Sequence, residues 1–99
     1  MQVIETVHAE PREVLERPSY RVNFWEKSGQ AWALDAYALF DVQDITEVLQ
    51  WIEGRSSGRQ FELFVEMNDE VPGAFQDPRT SGLIHLMGTN PNAGNISVF

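Results

Sequence analysis

The sequence predicts a single α+β domain in which one helix packs on one face of a mostly antiparallel sheet. Residues 44–54 carry the signals of an amphipathic helix, and segments that alternate apolar and polar residues lie on both sides of it. The predicted order is therefore strand, strand, helix, strand, strand. A chain of 99 residues is long enough to bury a core without metal or disulfide support. We assign residues 1–99 to one domain, with 1–19 as its least defined part.

The helix is the most sharply predicted element. Asp44 suits an N-cap, and Glu47 three residues later can complete a capping box. Gly54 can adopt the left-handed conformation that ends a helix. The apolar stripe at i, i+3, i+4 and i+7 consists of Ile45, Val48, Leu49 and Ile52. Trp51 lies beside this stripe, and we expect it to widen the buried face; the alternative is an exposed anchor for a partner.

The two strands before the helix are predicted to pair as an antiparallel hairpin. Every second residue from Tyr20 to Phe24 is apolar, which is typical of a strand with one buried face. Residues 27–30 have the composition of a turn, with a glycine that can adopt positive φ. The second strand is expected from Trp32 to about Tyr37 and could extend to Phe40. Its alanines indicate close packing by a neighbouring element.

Two further strands are predicted after the helix. Gln60–Met67 alternates most clearly. One face carries Phe61, Leu63, Val65 and Met67, and the other carries Glu62, Phe64 and Glu66. The helix would act as a right-handed crossover and make the second and third strands parallel. A long irregular connection, Asn68–Gly82, then leads to a last clear strand at Leu83–Met87, and connections of this length are often functional.

The two ends of the chain are predicted less sharply. Met1–Val7 has the alternation of a short edge strand, and Arg12–Glu16 could form a helical turn between two prolines. Gly88–Asn95 is rich in turn residues, and Ile96–Phe99 could return as a short strand.

Some apolar residues fall out of phase with the face that the helix covers. These residues are Trp25, Phe64, Ile84 and Leu86. Something should cover them, and the simpler candidate is the N-terminal segment or the long connection folding across the sheet. The other candidate is a partner protein or a second copy of this chain.

Composition excludes several classes of function. Seven basic and fifteen acidic residues give a net charge of −8, which argues against binding a nucleic acid backbone. The chain has no cysteine, so disulfides and thiolate ligands are absent. No segment has the length and apolarity of a membrane span, and the first residues lack the pattern of a secretory leader. We therefore expect a cytoplasmic protein that does not bind membranes.

The acidic residues do not have the spacing of catalytic or metal-binding groups. Glu62 and Glu66 lie four residues apart on one strand, about 13 Å, which is too far for a catalytic carboxylate pair. Asp69, Glu70 and Asp77 form the densest acidic group, but the spacing and central glycine of a calcium loop are absent. We expect a solvated acidic loop, with no metal and no cofactor.

Other catalytic motifs are equally weak. His85 alternates with apolar residues, and a histidine in that setting usually serves as hydrogen-bonded structure. No serine lies in a Gly-x-Ser-x-Gly turn. The glycines at Gly54 and Gly58 follow a helix and lack the lysine of a phosphate-binding loop. We assign no catalytic residue.

The leading hypothesis is a non-enzymatic, acidic domain that binds a more basic protein. The expected contact residues lie in the long connection and on the adjacent strand face: Asp69, Glu70, Phe75, Asp77, Glu62, Glu66 and Phe64. In size and charge, the chain resembles the small immunity proteins with which bacteria mask the basic active sites of their own toxins. The alternative is a homo-oligomeric structural or ligand-holding domain, such as a homodimer that buries the second sheet face. A third hypothesis is a small-molecule enzyme that uses His85 with a carboxylate of the connection.

Overall fold

The computed structural model describes residues 1–7 and 14–92. The elements, in chain order, are β1 Tyr20–Ser28, β2 Ala31–Leu39, α1 Ile45–Ser56, β3 Gln60–Glu66 and β4 Leu83–Gly88. The strands form one open sheet in the order β2-β1-β3-β4, and each neighbouring pair is antiparallel. The predicted fold class and element order are therefore confirmed.

The hairpin of β1 and β2 is longer than predicted. Its register is unbroken from the pair Tyr20 and Leu39 to the pair Ser28 and Ala31. Only two residues remain for the turn, and Gly29 takes a φ of +64° there. Such a tight connection suits the glycine, because a side chain is strained at positive φ.

The helix carries the chain from one side of β1 to the other. Both β2 and β3 are antiparallel to β1 and flank it, so these two strands run in the same direction, as predicted. They are not hydrogen-bonded neighbours, because β1 lies between them.

The start of α1 follows the predicted capping with one change. The carboxylate of Asp44 accepts hydrogen bonds from the amides of Thr46 at 2.8 Å and Glu47 at 3.3 Å. The carboxylate of Glu47 reaches back to the amide of Gln43 at 2.9 Å, one residue earlier than in a standard capping box.

The prediction that Gly54 ends the helix is wrong. The helix continues to Ser56, and Ser57 and Gly58 supply the left-handed residues with φ of 50° and 77°. Arg59 then donates to the carbonyls of Arg55 at 2.9 Å and Ser56 at 3.0 Å. These bonds satisfy carbonyls that the last turn leaves unpaired, so the end of α1 is set beyond Gly54.

The core lies between α1 and the sheet. Its buried side chains are Tyr20, Val22, Phe24, Val42, Val48, Ile52 and Leu63. Two of the four residues in the predicted apolar stripe are buried, because Val48 and Ile52 are 1% and 3% exposed. The other two, Ile45 and Leu49, are 40% and 37% exposed. Trp51 packs against this core, as expected, with its ring centroid 5.8 Å from that of Phe24. The helix is thus rolled toward β2, where Trp51 packs on Tyr37. Its opposite flank, which carries Ile45 and Leu49, is partly exposed.

A β-bulge in β4 changes which residues face the helix. Leu63 pairs with Met87, and Phe64 pairs with His85, so Leu86 is the extra residue between them. Ile84 pairs with Val65 and therefore shares the helix-facing side of the sheet. The prediction that Ile84 lies out of phase with the helix is wrong for this reason.

Three smaller predictions have different outcomes. Residues 1–7 are exposed and form no strand, so the predicted N-terminal edge strand is wrong. The helical turn at 12–16 lies partly, and the strand at 96–99 wholly, outside the described residues. The alanines of β2 do not pack under a neighbour, because β2 is an edge strand and Ala31, Ala33 and Ala36 are exposed.

Candidate functional site

The candidate site lies on the reverse face of the sheet, which is the face away from α1. Arg21 and Ala36 lie there, because they alternate along β1 and β2 with side chains that pack under the helix. Residues 68–82, which we call the acidic loop, fold across one end of this face. The expected cover over the out-of-phase apolar residues is incomplete, because Ile84 and Leu86 are still 49% and 47% exposed.

A buried ion cluster ties the acidic loop to the sheet. Arg79 donates from Nε and Nη2 to both carboxylate oxygens of Glu66, at 2.5 and 2.7 Å. The second cation is Arg21, whose Nη1 lies 3.7 Å from Glu66. The side chain of Glu66 is fully buried. Hydrogen bonding to Glu66, opposed by desolvation, raises the pKa of Arg79 further above its usual value, so the guanidinium stays charged.

Arg79 also fastens the start of the loop. It donates to the carbonyls of Glu70 at 2.7 Å and Val71 at 3.0 Å. Its guanidinium carbon lies 4.8 Å from the ring centroid of Phe40, at the end of β2. One side chain therefore joins β3, the residue after β2 and both ends of the loop.

Glu70 closes the base of the loop. Its carboxylate accepts hydrogen bonds from the amides of Thr80 at 2.9 Å and Ser81 at 2.8 Å. Partial desolvation alone would raise the pKa of Glu70, but these amide bonds and the charge of Arg79 outweigh it and lower the pKa below its ordinary value. Glu70 is thus a structural acid of the loop.

The remaining expected loop residues face solvent. Phe75 is fully exposed, and Asp69 and Asp77 are exposed on either side of it in the chain. The amide of Asp77 donates to the carbonyl of Ala74 at 3.0 Å, which forms a turn around Phe75. The loop therefore presents an aromatic ring and two carboxylates at its outer part.

The expected contact residues of β3 are buried or half-buried, unlike those of the outer part of the loop. Glu62 is 7% exposed and accepts hydrogen bonds from Trp25 at 2.9 Å and Asn23 at 3.3 Å. Phe64 is half-buried and meets His85 edge to face, with ring centroids 5.5 Å apart. Glu62 and Glu66 thus satisfy internal donors, and neither presents its carboxylate to solvent.

A groove of about 570 Å³ separates the outer loop from the sheet. One wall is formed by the acidic loop, including Phe75, Asp77 and Arg79. The other wall and the floor come from Arg21, Ala36, Tyr37, Ala38 and Phe40. Its lining is mainly apolar, with a few charged groups, as in many binding sites.

In the described part of the chain, His85 lies away from the groove and the acidic residues do not converge as metal ligands. Nε2 of His85 lies 2.9 Å from the carbonyl oxygen of Gly88, and His85 does not line the groove. Within residues 1–7 and 14–92, no three histidine or carboxylate side chains converge as metal ligands.

Sequence reasoning missed the arginines and the small residues of β2. Arg79 stands thirteen positions after Glu66, and only the folded path of the loop brings them together. One signal was available, because a glutamate that is buried in a strand needs a cation or hydrogen-bond donors as partners. Ala36 and Ala38 carry no chemical signal, and their role arises from β2 being at the sheet edge.

The fold and the site define a small α+β domain that presents an anchored, acidic loop beside an open strand edge. Comparison with protein-family models, curated proteins and solved structures gave no significant match. Among the described residues, no helix has the length and apolarity needed to cross a membrane.

Proposed function

We propose that this protein is a non-enzymatic, acidic binding domain whose acidic loop contacts a more basic protein. The observation that carries the proposal is the full exposure of Phe75 on a loop that is fixed at its base. An exposed aromatic side chain on a disordered tail would signify little. On an anchored loop it is an available contact group.

The anchoring matters because binding loses affinity when a loop must be ordered. Here the ion cluster of Arg79 with Glu66 and the amide bonds of Glu70 hold the loop before any partner arrives. Aromatic side chains bury a large area with few rotamers to restrict, and they are enriched among the residues that dominate binding energy. Phe75 is therefore the proposed central contact.

Charge supports a basic partner. The chain carries a net charge of −8, and Asp69 and Asp77 are exposed near Phe75. Complementary charge accelerates encounter and discriminates against acidic competitors. An inhibitor of the immunity type, acting in the cytoplasm on a basic enzyme, is one protein of this kind. Glu66 and Glu70 contribute indirectly, because they hold the loop in place, whereas Glu62 and Phe64 make their contacts within the sheet.

The test compares three forms of the purified chain as bait for cellular proteins. Wild type and Val71→Ala should retain the same basic protein, and Phe75→Ala should lose it. Val71 is also an exposed apolar residue of the loop, so it controls for a general loss of hydrophobic surface. Calorimetry with the purified partner then measures the loss, expected to be about thirtyfold or more. Equal binding by Phe75→Ala would contradict the proposal.

The second candidate is a homo-oligomeric domain. It is favoured by one observation, which is that apolar side chains of α1 and of the helix-facing side of β4 are partly exposed. These residues are Ile45, Leu49, Ile84 and Met87. Light scattering during size-exclusion chromatography distinguishes the candidates, because a stable dimer that Met87→Lys dissociates would favour the oligomer.

A further inference from the structure

Within residues 1–7 and 14–92, strand β2 is an edge strand without the usual protection against pairing. It runs for nine residues in unbroken register with β1, and it ends the sheet order. Its sequence contains no proline, glycine or lysine, and its one charged residue, Asp35, is bonded to Arg59 at 3.3 Å. The opposite edge, β4, is shorter and bulged. Bulges and charges are the devices that normally keep an edge from recruiting another strand.

The groove described above lies directly beside this edge. Ala36, Tyr37 and Ala38 line it consecutively, although successive residues of a strand point to opposite faces. The ring of Tyr37 packs against Phe24 and Trp51 on the helix side, with centroids 6.0 and 5.3 Å apart. Tyr37 therefore contributes backbone to the groove, and the two alanines leave that backbone accessible.

We propose that an extended segment of the basic partner adds to β2 as a fifth strand and inserts alternate side chains between the alanines and the acidic loop. This inference rests on the proposed function and specifies how the partner is held. Backbone hydrogen bonds to β2 would supply affinity. Apolar side chains facing Ala36, Ala38 and Phe75 would supply specificity, together with a lysine or arginine that reaches Asp77.

Charge favours such a segment over a second copy of this chain. Two copies that paired through β2 would bring together two chains of charge −8. A segment with lysine or arginine would instead be attracted to the exposed carboxylate of Asp77. The geometry admits either strand. Arg21 and Arg79 also line the groove, but both pair with the buried Glu66, so the exposed carboxylate of Asp77 and the net charge of −8 favour the basic segment.

The probe is a library of random twelve-residue peptides displayed on phage and selected with the full-length chain. Selected peptides should alternate apolar residues and contain lysine or arginine. The best one is synthesised in two forms, each N-methylated at every second amide, so that one form loses the donors that face β2 and the other does not. The first form should bind about tenfold more weakly or worse, and the second should bind nearly as the parent does.

Matched variants of the protein test the same contact from the other side. Ala36→Arg should fill the groove and reduce binding at least about tenfold. Ala33→Arg makes the same change on the same exposed strand but on the opposite face, and it should leave binding within about twofold. Because the peptide series uses unaltered protein, it decides the question even if Ala36→Arg folds poorly.

Several results would overturn the inference. Failure to enrich any peptide, equal affinity of both methylated forms, or a dimer that Ala36→Arg dissolves would each do so. If Phe75→Ala abolishes capture of the cellular partner while Ala36→Arg does not, the proposed function stands and strand addition fails. If both variants capture the partner as wild type does, the proposed function fails as well.

Discussion

Arg79 forms a bidentate ion pair with the carboxylate of Glu66, which joins the acidic loop to the reverse face at the end of β3. Glu66 is only 2% exposed, and the side chain of Arg79 is 11% exposed. Paired donors of a guanidinium fix both distance and orientation, which a lysine cannot do. The position of the loop, and hence of Phe75, depends on this pair.

We expect Arg79→Met to destabilise the protein. The substitution leaves a buried carboxylate with only Arg21, at 3.7 Å, so the free energy of unfolding should fall by about 3 kcal/mol, near the low end for breaking a buried pair. Urea denaturation measures the change. Arg17→Met at an exposed position is the control and should alter stability by less than about 0.5 kcal/mol. Equal stability of the two variants would show that the pair is dispensable.

Acidification should release the base of the acidic loop. The folded-state pKa of Glu70 is lowered relative to its ordinary value of 4.5, so its contribution to stability is present above that value. The contribution is lost as the pH falls through the lower, folded-state pKa. The protection factors of the Thr80 and Ser81 amides, which correct for the intrinsic dependence of exchange on pH, should therefore fall in acid.

Glu70→Gln provides the control for this pH dependence. The variant should exchange faster than wild type at pH 7, and the difference should shrink as the pH falls below about 4.5. A difference that stays constant with pH would mean that the charge of Glu70 does not hold the loop.

Periodicity explains why the body of the fold was predictable. Apolar residues at every second position of β1 and β3 placed Phe24 and Leu63 in the core, and both are buried. The helix was equally clear from its N-cap. These features depend on neighbours within a few residues, so a local pattern contains the necessary information.

The features that were not predicted depend either on competing local signals or on contacts between segments that are distant in the chain. The end of α1 is set by Ser57, Gly58 and the bonds of Arg59, and Gly54 is tolerated inside the helix. In β4 the bulge at Leu86 breaks the alternation, so that Ile84 and Met87 face the same side of the sheet, and no composition signal marks it. For the candidate site, Phe75 and the exposed acids were anticipated, but the anchoring role of Arg79 required the path of the loop.

Because one flank of α1 is buried and the other is partly exposed, the same isoleucine-to-alanine substitution should lower the free energy of unfolding by different amounts at two positions. Ile52→Ala removes a side chain that is 3% exposed, so it should lower the free energy of unfolding by about 2–4 kcal/mol. Ile45→Ala removes one that is 40% exposed and should cost about 1 kcal/mol or less. Chemical denaturation of both variants measures the difference. Similar losses would mean that both flanks of the helix are packed equally.

Gly88 should be the glycine least tolerant of a side chain. Its φ is +90°, and a Cβ there would lie 2.0 Å from the carbonyl oxygen of Phe61. Backbone atoms cannot yield as a flexible side chain does, so Gly88→Ala should cost at least about 2 kcal/mol and disturb the pairing of β3 with β4. Thermal denaturation and amide exchange of β4 measure both effects.

The same substitution at Gly54 should act in the opposite direction. Gly54 lies inside α1, and a Cβ there meets no atom within 4 Å. Alanine restricts the unfolded chain more than glycine does and favours the helix, so Gly54→Ala should raise the free energy of unfolding by about 0.5–1 kcal/mol. Because the chemical change is identical at both positions, opposite shifts in denaturation midpoint isolate the effect of backbone conformation and space. A destabilised Gly54→Ala would indicate that the helix ends at Gly54 in solution, as its sequence alone suggests.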